Sequence, residues 1–391
     1  MPHRFVKPTL LFLASLTVVS GAAVSPALPQ MYEAFKHLPQ ADLLVRLVLT
    51  MPAIFIAVLA PLAGILIDRF GRKPILVISL ALYGIAGTSG VFLDNLTDLL
   101  IARAFHGIAI AGLMPAVTTL VADYFTGEER TRFMGHQSAF MALGGMVFII
   151  AGGWLADFSW RGPFLVYATA FLLLPISMWV LHEPDHIADQ GTEQAIMDKP
   201  FRPSIVLIIY TTAFLIMGLF YMIPVQLPFY LRQDPSVSNL MVGVAIASYT
   251  VMAGMLSLGY RWVRARWSFP WIYAIGFTFM GLGYGVVALS DSYAQVMGGM
   301  LLSGVGGGFL FPNTGLWVAA VAPARLRGRL MGGLTTAYFL GQFSSPFLLQ
   351  PLTSDGSLGL AFGLAAVFMG GLACIFGLGH WWVKREIKLS P

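Results

Sequence analysis

Apolar residues along this chain fall into twelve runs, each about as long as a helix needs to cross a hydrocarbon layer ~30 Å thick. The runs cover roughly 9–31, 44–67, 74–92, 98–122, 131–156, 162–182, 204–231, 238–261, 268–290, 293–320, 328–351 and 357–382. Most are separated by short polar turns. One longer polar interruption, 183–203, carries Glu183, Asp185, Asp189, Glu193, Asp198, Lys199 and Arg202. The pattern predicts an all-α membrane protein with 12 transmembrane helices. They are expected to form two pseudo-symmetric six-helix bundles, 1–182 and 204–391, joined by a cytoplasmic linker over 183–203.

An internal repeat supports the division. At an offset of 197 residues Gly107 matches Gly304, Pro115 matches Pro312 and Gly144 matches Gly341. In the same register, Arg130-x-Arg132-x-Met134-Gly135 matches Arg327-x-Arg329-x-Met331-Gly332. Two parallel copies related about the membrane normal are one of the known ways of building a transporter.

Composition agrees with a membrane location. The 391 residues are 57% hydrophobic and 10% charged, with a mean hydropathy of +0.78. A soluble chain would carry about 25% charged residues. The net charge of +5 and pI near 9.3 do not indicate nucleic acid, because the basic residues sit in short clusters between apolar runs. Of 23 Lys and Arg, 18 fall on the segments that share a side with the N-terminus, and four (Lys36, Arg46, Arg161 and Arg232) on the other. That asymmetry predicts cytoplasmic N- and C-termini in a bacterial-type inner membrane. The first apolar run follows His3, Arg4 and Lys7, and Ala23-Val24-Ser25 loosely resembles a cleavage site. The run is too long for a signal peptide's apolar region and reads as a retained first helix. Cys374, the one cysteine, reads as apolar filler and excludes an intramolecular disulfide.

The stretch Gly64-Ile65-Leu66-Ile67-Asp68-Arg69-Phe70-Gly71-Arg72-Lys73 breaks this apolar pattern most sharply. Asp68 suits a free backbone N–H at a nearby helix start, and Arg69, Arg72 and Lys73 suit acids on neighbouring helix ends. The spacing G-x-x-x-D-R-x-G-R-K resembles the signature between the second and third helices of the major facilitator superfamily. The resemblance implies a gate that holds the two halves together on the cytoplasmic side and releases as they rock. Asp123 and Arg130 are expected to join Asp68 and Arg72 in that cluster. Ordinary rim ion pairs are the plainer reading.

Arg103 is the one basic residue placed within a helix, about 10 Å from its middle. A charge at that depth must face protein or water. Arg103-x-x-His106-Gly107 resembles the superfamily's fourth-helix R-x-x-Q-G motif, with His106 where Gln is usual. That resemblance implies substrate or proton-coupling contact. A structural hydrogen bond to carbonyls, and for His106 a packed neutral ring, are the alternatives. No carboxylate lies in mid-membrane, so a proton site is expected near a rim, at Glu33, Asp42 or Asp157, or at His106.

By resemblance, helices 1, 4, 7 and 10 line a central cavity. Its polar candidates are Ser20, Ser25, Tyr221, Gln226, Asn313 and Trp317, with Tyr338 and Gln342 from helix 11. Gly144-Gly145 and Gly152-Gly153 partly match the superfamily's antiporter motif, but Phe148-Ile149 replaces its G-P pair, so close helix packing is an equal reading. Trp160-Arg161-x-x-Phe164 resembles a pattern of drug-exporter relatives, and an aromatic anchor at the membrane interface is an equal reading. Phosphate-binding loops and His-Glu-x-x-His are absent. No enzyme activity, cofactor or metal is expected. The expectation is a monomeric secondary transporter that exchanges protons for small amphipathic molecules while surrounded by lipid. Uptake or facilitated diffusion of a sugar or organic anion is the alternative.

Overall fold

A computed structural model describes residues 3–184, 202–353 and 358–389. Most of the linker expected over 183–203, and the side chain of the cavity candidate Ser20, lie outside the described residues. The described chain is helical throughout, with no strand. In the first half the helices are α1 (His3–Ala22), α2 (Leu28–Phe35), α3 (Ala41–Phe70), α4 (Arg72–Thr88), α5 (Leu96–Tyr124), α6 (Gly127–Phe158) and α7 (Thr169–Val180). In the second they are α8 (Pro203–Phe220), α9 (Met222–Leu231), α10 (Asn239–Leu258), α11 (Tyr260–Arg266), α12 (Phe269–Ala288), α13 (Tyr293–Val321), α14 (Arg327–Thr353) and α15 (Leu358–Leu389).

These make twelve spans. Ten continuous apolar stretches among the described residues can cross a membrane by length and composition. The first span is completed by α1, a 3-10 turn at Ser25–Ala27 and α2. The eleventh is α14, whose glycines, threonines and serines lower its hydropathy without shortening it. Proline sets the break in span 1: Pro26 and Pro29 open the turn and α2 in succession. Span 7 bends at Tyr221, between α8 and α9, one turn before Pro224. By contrast, α5 and α13 continue through Pro115 and Pro312.

The repeat seen in the sequence has a packing cause. A Cβ at Gly107 would lie 2.5 Å from the Pro52 carbonyl oxygen of α3, and one at Gly304 would lie 2.6 Å from the Tyr249 carbonyl oxygen of α10. Gly144 and Gly341 repeat the logic one helix later, against Ser15 of α1 and the Phe214 carbonyl of α8. In lipid, where apolar burial does not drive helix together with helix, such close backbone approach supplies the packing energy. Identical glycines at the 197-residue offset therefore mark the same helix crossings in both halves. The copies differ at one place. Unbroken α3 corresponds to α10 and α11, which part at Gly259.

Between the halves α6 packs on α10 and α3 on α14. Each of the four is more enclosed over one part of its length than over the other. Ile149, Gly152, Gly153 and Ala156 of α6 are buried, whereas Met134 is 52% exposed. On α10, burial runs from Asn239 to Tyr249 and ends before Leu258, 71% exposed. Val45 to Ala57 are largely enclosed on α3, and Ile65 is 65% exposed. Gln342 and Ser345 of α14 are buried, and Met331 is exposed. The halves meet on the side away from Gly71 and part on the side that carries it. These are called the outer and inner sides below.

Candidate functional site

The inner loop is built around one backbone conformation. α3 ends at Phe70, and Gly71 follows with φ +94°, donating its N–H to the Ile67 carbonyl at 2.9 Å. An L-residue with a side chain rarely adopts that φ, which accounts for this glycine. The turn exposes the first N–H groups of α4. Glu183 caps them: Arg72 and Lys73 donate their backbone N–H to its two carboxylate oxygens, each at 2.7 Å. A Cβ at Gly71 would lie 2.9 Å from that carboxyl group.

The sequence led us to expect an acid at a helix start here, and assigned the part to Asp68. Glu183 takes it instead, and Asp68 is exposed. The reason is geometric. Asp68 lies within the last turn of α3, where free carbonyls gather, while Glu183 arrives from beyond α7 directly over the start of α4. Arg72 pairs with Asp123 through Nε at 3.0 Å, and Lys73 donates Nζ to the Met178 carbonyl at 2.8 Å. Arg69 lies over the Phe70 ring. Arg130, expected in one cluster with Asp68, Arg72 and Asp123, is exposed on the first turn of α6. Gly64 has open space around it. All these bonds tie the loop to its own half.

Arg103 and His106 are not on the surface between the halves. Arg103 is 1% exposed and His106 fully enclosed. Nη2 of Arg103 donates to the Gly87 carbonyl at 3.2 Å and the Ala86 carbonyl at 3.4 Å, and Nη1 donates to the Tyr167 hydroxyl at 3.2 Å. Its guanidinium lies over the rings of Phe164 and Tyr167. Ala86 and Gly87 are in the last turn of α4, where a cation is favoured by the helix dipole and by carbonyls without intrahelical donors. His106 packs between Tyr83 and Tyr167, ring centroids 4.4 and 4.7 Å away, and Tyr83 donates its hydroxyl to the Leu16 carbonyl of α1. Arg103 and His106 thus join α1, α4, α5 and the 3-10 segment Gly162–Ala168 inside the first bundle. Nothing in the sequence marked Tyr83 and Tyr167 as their partners, because the three segments are far apart in the chain.

The remaining candidates divide. Tyr221 reaches from the bend of span 7 to α1, where a Cβ at Gly21 would lie 3.4 Å from its hydroxyl, and Gln342 lies near it. Tyr338 lies a turn before Gln342, its ring 5.9 Å from Phe311, which in turn meets Phe220. Gln226 of α9 is fully buried, and neither amide atom has a hydrogen-bond partner. Ser25 donates its hydroxyl to the Pro224 carbonyl, joining the bends of spans 1 and 7. Tyr221, Phe220, Phe311 and Tyr338 thus form a chain of ring contacts across spans 7, 10 and 11, with Ser25 and Gln226 enclosed at the bends of spans 1 and 7.

Asn313 and Trp317 do not gather there. The side chain of Asn313 accepts from the Tyr260 hydroxyl at 2.7 Å and donates to the Phe269 carbonyl at 3.0 Å. It fixes α11 and the start of α12 to α13. Trp317 stacks on Phe269, 5.5 Å between centroids. Expected in the cavity, both instead hold the inner end of the second bundle together. Helix phase explains this: they lie on the side of α13 that faces α12.

The rim acids are also engaged. Glu33 pairs with Lys36 at 2.6 Å, and that hydrogen bond holds the Lys36 ammonium above its ordinary pKa. Asp42 pairs with Arg46, which also lies over the Phe229 ring of the other half at 4.7 Å. Asp157 accepts hydrogen bonds at the start of α10.

The sequence profile of the Major Facilitator Superfamily matches residues 10–259 and, a second time, 209–390. Multidrug resistance protein 1 of Bacillus subtilis is 35% identical over 130 residues, which cover 33% of this chain and 33% of that protein. The quinolone resistance protein NorA of Staphylococcus aureus is 28% identical over 138 residues, 35% of this chain and 36% of that one. The matched stretch thus spans about a third of these relatives' length. The cis,cis-muconate transport protein of Acinetobacter baylyi is 24% identical over 341 residues, 83% of this chain and 81% of that protein. Among solved structures, a bacterial homologue of the human lysosomal transporter Spinster, inward-facing and occupied, superposes with a TM-score of 0.78 at 18% identity, covering 97% of each chain. A D-xylose–proton symporter superposes at 0.74 and 15% identity, covering 94% of this chain and 97% of that one. At such identities the likeness is one of fold.

Proposed function

The chain belongs to the major facilitator superfamily, whose members are transporters and not enzymes, and from that premise we propose that it is an alternating-access exporter of small amphipathic molecules driven by a proton gradient. The observation that carries this reading is the exposure of the four helices at the seam, which are enclosed away from the Gly64–Lys73 loop and more exposed beside it. The rings of Tyr221, Phe220, Phe311 and Tyr338 meet one another close to that seam. Such rings suit a ligand that is largely apolar with a few hydrogen-bonding atoms. The likeness to multidrug resistance proteins supports export. We place the chain in a bacterial-type inner membrane with both termini cytoplasmic, on the distribution of Lys and Arg, and we take it to work as a monomer of two bundles, 1–182 and 204–391.

Rocking would carry Asp68, Arg69 and Arg130, exposed here, toward the start of α14 as the inner side closes. The gating cluster would then form between halves rather than within one. Arg103 and His106 would act through the first bundle, holding α4, α5 and the 162–168 segment as one body.

Transport of a neutral amphipathic fluorophore into inside-out proteoliposomes, with and without an imposed pH gradient, tests the proposal. Uptake that needs the gradient is the expected result. Uptake indifferent to it would remove the coupling. A second reading, movement of an organic anion, draws on the muconate transport protein, which is similar over most of its length. An unsaturated dicarboxylate carried in the same vesicles, with the fluorophore not carried, would favour it.

A further inference from the structure

The bonds described above tie the inner loop to the first half, and contacts from one half to the other lie on the outer side. At the outer end of α6 the carboxylate of Asp157 accepts the backbone N–H of Asn239 at 2.7 Å and that of Leu240 at 3.2 Å. These are the first two residues of α10, in the other half. The Asn239 side chain returns the contact, donating Nδ2 to the Ala156 carbonyl at 3.0 Å. An acid at the end of one helix thus caps the start of another, and an amide on that start caps a free carbonyl of the first. Charge and helix dipole favour the pairing. The backbones meet directly underneath: a Cβ at Gly153 would lie 2.6 Å from the Asn239 carbonyl oxygen, and one at Gly243 would lie 2.9 Å from that of Ile149.

We propose that Asp157 and Asn239 form the latch that keeps the outer side shut while the inner side is open. They are positioning residues, which set the balance between the two states and need not touch the transported molecule. The hydrogen bonds run between bodies that separate when the outer side opens, so the latch is present in one state and absent in the other. Any energy it holds goes wholly into the difference between the states. The latch rests on rocking between two states, as in the reading above, but on neither the substrate nor the direction of transport.

Two pairs of spin labels test it in the full chain in nanodiscs, with Cys374→Ser as background. Ser159→Cys with Ser236→Cys spans the outer side, and Thr131→Cys with Ser257→Cys spans the inner side; all four positions are exposed. Losing hydrogen bonds to a charged group of this kind should raise the ratio of outer-open to outer-closed molecules about tenfold. Asp157→Asn is expected to lengthen the outer distance and shorten the inner one in the same molecules. Asn239→Ala should do likewise from the other half, and Asp157→Glu should restore closure. A bundle that is merely damaged would not show the reciprocal inner change. Gly243→Leu, which wedges the seam, serves as the opening control. If it opens the outer side and both latch variants stay closed, the latch is overturned and rocking stands. If none of the three opens, both the latch and the two-state reading fail.

Discussion

Replacing Arg103 separates a structural role from a role in proton coupling, and the structure sets the size of the effect. Arg103→Met keeps an unbranched side chain of similar length but removes the donors to the Gly87 carbonyl and the Tyr167 hydroxyl, both deep in the first bundle. The Ala86 carbonyl is less affected, because it also accepts the Ser89 hydroxyl at 2.9 Å. Losing these two hydrogen bonds from a charged donor costs about 1–3 kcal/mol each, and the lost contact of cation with ring about 1–2 kcal/mol. Against this, a charge no longer has to be held out of water, which returns several kcal/mol. The net loss should be about 2 kcal/mol. Arg103→Lys keeps the charge and its desolvation cost but loses the planar fork that spans the end of α4 and Tyr167 at once. It should therefore be the worse change, by about 1–2 kcal/mol more. The ordering is the diagnostic. Thermal unfolding of the purified variants should rank wild type above Met above Lys, with the folded fraction of each still transporting in response to a pH gradient. A charge that couples protons would give the reverse: Lys tolerated, and Met folded but deaf to the gradient. That result would refute the assignment of Arg103 to bundle architecture.

Three further outcomes follow from the inner loop and the outer seam. Gly71→Ala forces a side chain onto φ +94° and into the Glu183 carboxyl group. It should cost about 2 kcal/mol in a thermal-shift measurement, whereas Gly64→Ala, with open space around it, should cost nothing measurable. Asp68→Asn should leave the melting of this inward-open form unchanged and still abolish transport; a destabilised protein would show that Asp68 already has a partner in this state. Phe229→Leu removes the ring beneath Arg46 and should favour outer opening by about 0.5–1 kcal/mol, read as faster labelling of a cysteine introduced at Tyr32.

The twelve spans, their order and the repeat were legible because lipid imposes a length and an apolar composition on every crossing, and because shared helix crossings keep shared glycines. The turn at Gly71 between α3 and α4 was legible by spacing alone. Partner identities were not. Whether Asp68 or Glu183 would cap α4 depends on where a residue 111 positions later in the chain lands, and no local pattern carries that. Asn313 and Trp317 were placed in the cavity because their helix lines it, but a helix has two sides and the apolar sequence of α13 does not say which one faces the opening. Asp157 was singled out as a rim acid suited to carry a proton. That its partners are backbone N–H groups of the opposite half could not be read, since every residue supplies the same N–H.

The two inner hairpins are unequal in construction. In the first half α3 runs unbroken to a turn pinned by Glu183, Asp123 and the Met178 carbonyl. In the second, the matching helix is jointed at Gly259 and continues as a separate short piece held through Tyr260 to Asn313. A mouth with one stiff lip and one articulated lip widens unevenly, so bulky cargo should be admitted by flexure of the second lip while the first keeps its contour.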